Sequence, residues 1–248
     1  MKKYSAVLFD LCDTIMPYRS DNMPMVEVKD MRVRSTTPLL YDFFKKQNQR
    51  TISFEAFHMA FFKITAGIFT LRKKSEKEIL SEARFSSFLD CLGVERGDAW
   101  NTIHHELMRK HLMHVAACLE LPPIHRTLLK NWSRDYPLGI VSNFDDTETV
   151  YHVLTRENMM DFFESILISA EFGFRKPGQK IFLEACLRLD KKPEEVLFVG
   201  DSWDHDVLGA QSVRMDVAWL NPKNLPHPDT CLKPTYQLRE LEDLNNIL

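Results

Sequence analysis

The chain has 248 residues, 44% of them hydrophobic and 27% charged, with a formal net charge of −3. These values are ordinary for a globular protein, and the length fits one principal domain with a sizeable insertion. The small net charge does not indicate a nucleic-acid or membrane-surface partner, and we expect no segment to reach the roughly 20 apolar residues of a membrane helix. The five scattered cysteines include no CxxC pair, so we expect reduced thiols in a cytoplasmic protein.

The first predicted element is a short apolar run over 4–9 that ends at Asp10, which is typical of a buried strand. The stretch over 17–116 has a different character. It shows no convincing strand, and its apolar residues follow helical spacing over 54–74, 76–92 and 100–115. The sequence therefore predicts a helical cap domain over 17–116, inserted into a core domain made of 1–16 and 117–248.

The rest of the chain alternates between two kinds of segment. Short apolar runs lie at 138–141, 165–169, 196–199 and 217–220, and helical spacing lies at 124–134, 146–157, 178–189 and 204–213. This alternation predicts an α/β fold, a Rossmann-like doubly wound parallel sheet with helices on both faces. We expect 217–220 to be the last strand and the proline-rich stretch over 221–234 to be an irregular surface loop.

Polar side chains gather where the predicted strands end. Asp10 follows the first strand, Ser142 and Asn143 follow the second, and Asp201 follows the strand over 196–199. Ligands of parallel sheets bind at this edge, so we expect these side chains to lie close together. Taken singly, each residue also fits a turn or a helix cap. Their coincidence favours a ligand-binding or catalytic site at this edge of the sheet.

Four segments carry a resemblance to a known family. In order, spacing and position, Asp10-Leu11-Cys12-Asp13-Thr14, Ser142-Asn143, Lys176-Pro177 and Gly200-Asp201-Ser202 with Asp206 resemble the signature motifs of the haloacid dehalogenase superfamily. The resemblance covers the chain outside the insertion, which falls where the helical cap of the first type falls in that family. It implies a hydrolase that uses Mg²⁺.

The resemblance also implies roles for individual residues. Asp10 would be the nucleophile, Ser142 and the neighbouring Asn143 would bind the phosphoryl group, and Lys176 would hold the nucleophile and the developing charge. The metal ligands would be Asp10, Asp201 and the backbone carbonyl of Cys12. Asp206 would orient Lys176 or complete the outer metal shell.

One position departs from the family pattern. Phosphatases of the superfamily usually carry an acid–base Asp two residues after the nucleophile, where this chain has Cys12. A thiol, with an ordinary pKa of about 8.5, does not offer carboxyl chemistry. The adjacent Asp13 is expected to face away from the substrate.

Three functions therefore stay open. The chain is expected to be a phosphatase of a small phosphorylated metabolite, a hydrolase of C–P or C–halogen bonds, or a catalytically impaired ligand-binding protein. In a phosphatase of this kind, the cap would close over the site, exclude water and recognise the leaving group. We expect a monomer or a homodimer without nucleic-acid or membrane partners.

Overall fold

The computed structural model of the protein describes residues 3–28, 31–47, 51–228 and 232–248. The chain divides into two compact units, a first made of Met1–Tyr18 and Leu119–Leu248 and a second made of Arg19–Cys118. These borders lie two residues beyond the domain borders that we expected from the sequence.

The strands and helices are as follows. The strands are β1 (Ala6–Phe9), β2 (Met25–Val28), β3 (Met31–Arg34), β4 (Leu138–Ser142), β5 (Ser165–Ile168), β6 (Val196–Gly200), β7 (Asp216–Leu220) and β8 (Tyr236–Leu238). The α-helices are α1 (Thr37–Gln47), α2 (Phe54–Arg72), α3 (Ser81–Cys91), α4 (Asp98–Ala117), α5 (Pro123–Trp132), α6 (Thr147–Arg156), α7 (Ser169–Phe172), α8 (Gln179–Arg188) and α9 (Leu208–Ser212). A π-helical turn, Trp203–Val207, precedes α9.

The first unit is built on one parallel sheet with the strand order β5-β4-β1-β6-β7-β8. Strands β1, β4 and β6 are buried along their whole length, as expected for the centre of a sheet that is covered on both faces. Phe198 of β6 packs edge-on against Phe182 of α8, with ring centroids 5.1 Å apart. Phe9 of β1 stacks on Trp132 of α5, at 6.0 Å. The predicted α/β, Rossmann-like core is confirmed.

The prediction that 217–220 is the last strand is wrong, because β8 pairs in parallel with β7 at the edge of the sheet. A strand of three residues is too short to show a period-two pattern, so it could not be predicted from the sequence. Side-chain hydrogen bonds at the start of β8 hold this strand in place. The Tyr4 hydroxyl donates to Asp216, at 2.7 Å, and lies 3.1 Å from the Tyr236 hydroxyl, while the Thr235 hydroxyl donates to Asp216, at 2.9 Å.

The second unit is mainly helical, with an aromatic core between its helices. Phe57 and Phe61 of α2 contact Phe88 of α3 at centroid distances of 4.9 and 5.2 Å. The expectation of no strand in this stretch is wrong, because β2 and β3 form an antiparallel pair with Val26 opposite Val33. In β2, buried Val26 and Val28 alternate with exposed residues. This alternation was visible in the sequence but spans only four residues.

Helix α2 corrects the expectation that no segment is long and apolar enough for a membrane helix. It has 19 residues and a mean hydropathy of 1.2 in its most apolar window, so by length and composition it is able to span a membrane. A single helix of this kind among the described residues is weak evidence for a membrane span, because core helices of globular proteins have the same length and composition. Phe57 and Phe61 belong to the aromatic core, whereas Phe62 and Phe69 are exposed.

Candidate active site

Three adjacent strands bring the predicted polar residues to one edge of the sheet. Asp10 directly follows β1, Ser142 ends β4, and Asp201 directly follows β6. Because β1 lies between β4 and β6, these three positions are neighbours at the carboxyl ends of the strands. The backbone N–H of Asp10 donates to the carbonyl of Val199, at 2.9 Å, which fixes the residue at the end of its strand.

Three carboxylates converge at this edge. Asp10, Asp201 and Asp206 each place an oxygen within 4.8 Å of the others. Asp206 reaches the site from the π-helical turn, where its carboxylate accepts a hydrogen bond from the backbone N–H of Ser202, at 2.9 Å. A Cβ at Gly200 would collide with the Asp206 carboxyl group, so the last residue of β6 has to be glycine for Asp206 to approach.

Lys176 lies between two of these carboxylates. Its Nζ is 2.6 Å from Asp10 Oδ1 and 2.8 Å from Asp206 Oδ1, and its side chain is 2% exposed. The side chain of Asn143 holds the backbone of the lysine on both sides: Oδ1 accepts from the Lys176 N–H at 2.8 Å, and Nδ2 donates to the Lys176 carbonyl at 2.9 Å. Asn143 therefore positions Lys176.

The charges in this cluster are unbalanced. Burial raises the pKa of Asp10 to about 6, although the nearby ammonium of Lys176 acts to lower it. Burial and the Asp10 and Asp206 carboxylates raise the pKa of Asp201 to about 7. Burial disfavours the charged form of Lys176, but Asp10 and Asp206 outweigh it and raise the pKa of the ammonium above its ordinary value. The cluster contains three carboxylates and one ammonium, so a further cation would bring its charges closer to balance.

The residues present fit Mg²⁺. Carboxylate oxygens are the hard ligands that this ion prefers, and it usually binds through one or two of them while it keeps several waters. Asp10 and Asp201 are the two that suit this role, since both oxygens of Asp206 are engaged, Oδ1 by the Lys176 ammonium and Oδ2 by the Ser202 N–H. The Cys12 carbonyl stays a predicted ligand.

Ser142 offers a hydrogen-bond donor at the edge of the sheet where the three carboxylates lie. The residue is 1% exposed, and its hydroxyl has no hydrogen-bond partner among the residues that the structure describes. A buried hydroxyl without a partner costs free energy, and a bound anion would satisfy it. The helix that follows is capped by Asp146, whose carboxylate accepts from Thr149, so Ser142 is not that helix's cap.

The turn after β1 shows what surrounds Cys12. Burial, with the nearby carboxylates of Asp10 and Asp13, raises the pKa of the Cys12 thiol above its ordinary value, so the thiol is neutral. Asp13 adopts a positive φ of 59°, and its carboxylate accepts a hydrogen bond from the Tyr18 N–H, at 2.9 Å. The Thr14 hydroxyl donates to Asp201 Oδ1, at 3.4 Å, which braces the loop.

The structure also shows residues that the sequence reasoning missed. The Trp219 indole N–H donates to the Asp201 carbonyl, at 2.8 Å. Trp219 belonged to a predicted buried strand, and the available signal was that a buried indole N–H needs a partner. Gly200 belongs to a predicted motif, and its lack of a side chain makes room for the Asp206 carboxyl group.

Replacing Lys176 with methionine should destabilise the protein. The change keeps most of the side-chain volume but leaves Asp10 and Asp206 buried beside each other without the ammonium. Removing one partner of a buried ion pair costs about 3–5 kcal/mol, so we expect a loss of about 3 kcal/mol in the free energy of unfolding. Urea denaturation in EDTA measures it. The control is Lys180→Met, at an exposed lysine in α8. Equal unfolding midpoints for the two variants would contradict the account.

Comparison with known proteins gives a family match. The family model of haloacid dehalogenase-like hydrolases matches residues 52–220. YfnB of Bacillus subtilis is 28% identical over 100% of this chain and 97% of its own length. The pyrimidine 5'-nucleotidase YjjG of Escherichia coli is 30% identical over 68% of this chain and 71% of its own length. Glyceraldehyde 3-phosphate phosphatase of Pyrococcus furiosus is 33% identical over 66% of this chain and 68% of its own length.

Solved structures are similar over the whole chain. The magnesium-bound crystal structure of YfnB has a TM-score of 0.66 at 25% identity and covers 100% of this chain and 99% of that one. The 2-haloacid dehalogenase of Pseudomonas syringae pv. tomato has a TM-score of 0.74 at 19% identity, with 100% and 98% covered. At that identity the second likeness concerns the fold alone.

Proposed function

Because the chain belongs to the haloacid dehalogenase-like hydrolases, we propose that it is a Mg²⁺-dependent phosphatase of a small phosphorylated metabolite, with Asp10 as its nucleophile. The observation that carries this proposal is the convergence of buried Asp10 and Asp206, which both contact Lys176, with half-buried Asp201. A structural ion pair would need one carboxylate for one ammonium. The excess of carboxylates fits a site that binds a metal cation.

In the first step, an Asp10 carboxylate oxygen forms a bond to phosphorus while the bond from phosphorus to the leaving-group oxygen breaks. Lys176 holds the attacking carboxylate in place and stabilises the charge that develops on the phosphoryl oxygens. The buried Ser142 hydroxyl donates a hydrogen bond to one of those oxygens. When bound by Asp10, Asp201 and the Cys12 carbonyl, Mg²⁺ would neutralise phosphate charge and orient the substrate.

In the second step, water attacks the phosphorus of the aspartyl-phosphate, which releases inorganic phosphate and restores the Asp10 carboxylate. Both steps move a proton: the leaving oxygen gains one and the attacking water loses one. Cys12 stands where related phosphatases carry an Asp for these transfers. Because its thiol is not a carboxyl group, we propose that solvent water gives the proton to the leaving oxygen and takes up the proton of the attacking water, so that turnover is slow for poor leaving groups.

Several relatives support the proposal. A pyrimidine 5'-nucleotidase and a glyceraldehyde 3-phosphate phosphatase are among them, and the YfnB crystal structure holds magnesium. A (S)-2-haloacid dehalogenase of Pseudomonas putida is a more partial relative, 28% identical over 45% of this chain. Cleavage of a C–halogen or C–P bond is therefore the second candidate, favoured by Cys12 at the acid–base position. The third is a ligand-binding protein without turnover.

A substrate panel separates these candidates. Glyceraldehyde 3-phosphate, pyrimidine nucleoside monophosphates, phosphonoacetaldehyde and 2-haloacids are each incubated with the protein in Mg²⁺ and in EDTA. We expect phosphate release from at least one phosphoester in Mg²⁺ and none in EDTA. Metal-independent halide release would overturn the phosphatase proposal in favour of dehalogenation. Binding of phosphate with Mg²⁺, without turnover of any substrate, would favour the ligand-binding protein.

We also propose a cytoplasmic protein, monomeric or homodimeric, whose partner is a small phosphorylated molecule and which binds neither nucleic acid nor membrane. Cys12, Cys91 and Cys186 are free thiols, which supports a reducing compartment; Cys231 lies outside the described residues. The net charge of −3 gives no general attraction to nucleic acid or to anionic lipid.

A further inference from the structure

Trp219 reaches from its own strand to the segment that carries Asp201. It lies in β7 opposite Gly200 of β6, is 3% exposed, and donates its indole N–H to the Asp201 carbonyl, at 2.8 Å. Asp201 follows Gly200 directly, and its carbonyl belongs to the peptide between Asp201 and Ser202, so this hydrogen bond holds the peptide that follows Asp201. The direction of the Asp201 side chain depends on how that peptide is oriented.

The carboxylate of Asp201 has a weaker restraint of its own. The Thr14 hydroxyl approaches Oδ1 at 3.4 Å, which is long for an O–H donor to a carboxylate. The shorter hydrogen bond from Trp219 is therefore the better anchor for the residue. Loss of the indole N–H would leave the Asp201 carbonyl without this donor.

The indole ring is itself held in place by aromatic neighbours. Trp203 packs edge-on against Trp219 with ring centroids 5.0 Å apart, and His227 contacts the two rings at 5.3 and 5.5 Å. Trp203 is also the first residue of the π-helical turn that carries Asp206. The Trp219 ring thus contacts the segments of two of the three site carboxylates.

We propose that Trp219 is a positioning residue, whose indole N–H fixes Asp201 in the orientation that binds Mg²⁺. This inference rests on the proposed metal site and adds to it a residue that does not touch the metal. Groups that orient metal ligands typically contribute about 10–100-fold to metal affinity. Trp219 should act in this way through one donor atom, separately from its contribution to packing.

Two substitutions separate the hydrogen bond from the packing. Trp219→Phe keeps most of the apolar volume and removes the donor, whereas Trp219→Gln offers an N–H donor and removes the aromatic packing. Mg²⁺ affinity is measured by isothermal titration without substrate, and the thermal midpoint is measured in EDTA. We expect Trp219→Phe to weaken Mg²⁺ binding about tenfold, with a smaller loss of affinity in Trp219→Gln despite its lower midpoint.

Trp100→Phe, at a buried tryptophan of the second unit, is the matched control and should bind Mg²⁺ like the wild type. Wild-type affinity in folded Trp219→Phe would overturn the positioning role and leave the proposed phosphatase intact. A greater loss in Trp219→Gln than in Trp219→Phe would assign the effect to packing and also overturn it. Absence of Mg²⁺ binding by the wild type would overturn both this inference and the metal site on which it rests.

Discussion

Asp10→Asn is expected to lower kcat by about 10⁴-fold or more on any phosphoester that the wild type hydrolyses in Mg²⁺. Removal of a nucleophile typically has an effect of this size, because the remaining groups are unable to form the covalent bond. Asparagine keeps the shape of the side chain but is a poor nucleophile and brings no negative charge to Mg²⁺ or to Lys176. Steady-state phosphate release measures the effect, and circular dichroism checks that the variant is folded.

Asp13→Asn is the matched control for this prediction. It changes the charge by the same amount three residues later in the same turn, where the carboxylate accepts the Tyr18 N–H rather than facing Lys176. We expect less than about a tenfold change in kcat, since a loop hydrogen bond contributes only about 1 kcal/mol. Turnover that survives Asp10→Asn, or an equal loss in both variants, would contradict the assignment of the nucleophile.

Cys12→Asp is expected to raise kcat by about 10²–10⁴-fold on phosphoesters with poor leaving groups. General acid–base catalysis typically contributes this much, and the substitution restores a carboxyl group at the position where related phosphatases have one. The gain should be small for an aryl phosphate such as p-nitrophenyl phosphate, because its leaving group needs little protonation. A larger gain in kcat for poor leaving groups than for the aryl phosphate would therefore indicate that the restored carboxyl group transfers a proton.

Cys12→Asn is the control, because it has the size of aspartate without a titrating proton. We expect it to match the wild type within about threefold, as neither side chain supplies carboxyl acid–base catalysis. An equal gain in Cys12→Asn and Cys12→Asp would show that shape, and not proton transfer, limits the wild type. No gain in Cys12→Asp on any substrate would contradict the view that an acid is missing.

Much of the fold could be predicted because the central strands are buried on both faces. Runs such as 138–141 and 196–199 are apolar without interruption, and the segments between them have helical spacing, so the parallel sheet follows from the sequence. The short elements could not be predicted. β8 has three residues and depends on hydrogen bonds around Asp216, and the β2–β3 pair shows its alternation over only four residues per strand.

The main residues of the candidate site could be predicted from the sequence. Polar side chains after β1, β4 and β6 had to meet at one edge of the sheet, and the structure brings Asp10, Lys176, Asp201 and Asp206 together there. Which groups support them was not predictable. The two hydrogen bonds from Asn143 to the backbone of Lys176 depend on three-dimensional contacts between residues 33 positions apart.

The most direct test of the central claim is a search for the phosphoryl group on Asp10. The protein is mixed with excess phosphoester and Mg²⁺, quenched in acid within one turnover, digested and analysed by mass spectrometry. We predict that the peptide containing Asp10 gains the mass of one phosphoryl group, and that this gain is absent in EDTA and in Asp10→Asn. Phosphate release with the phosphoryl group on another residue, or on none, would contradict the account.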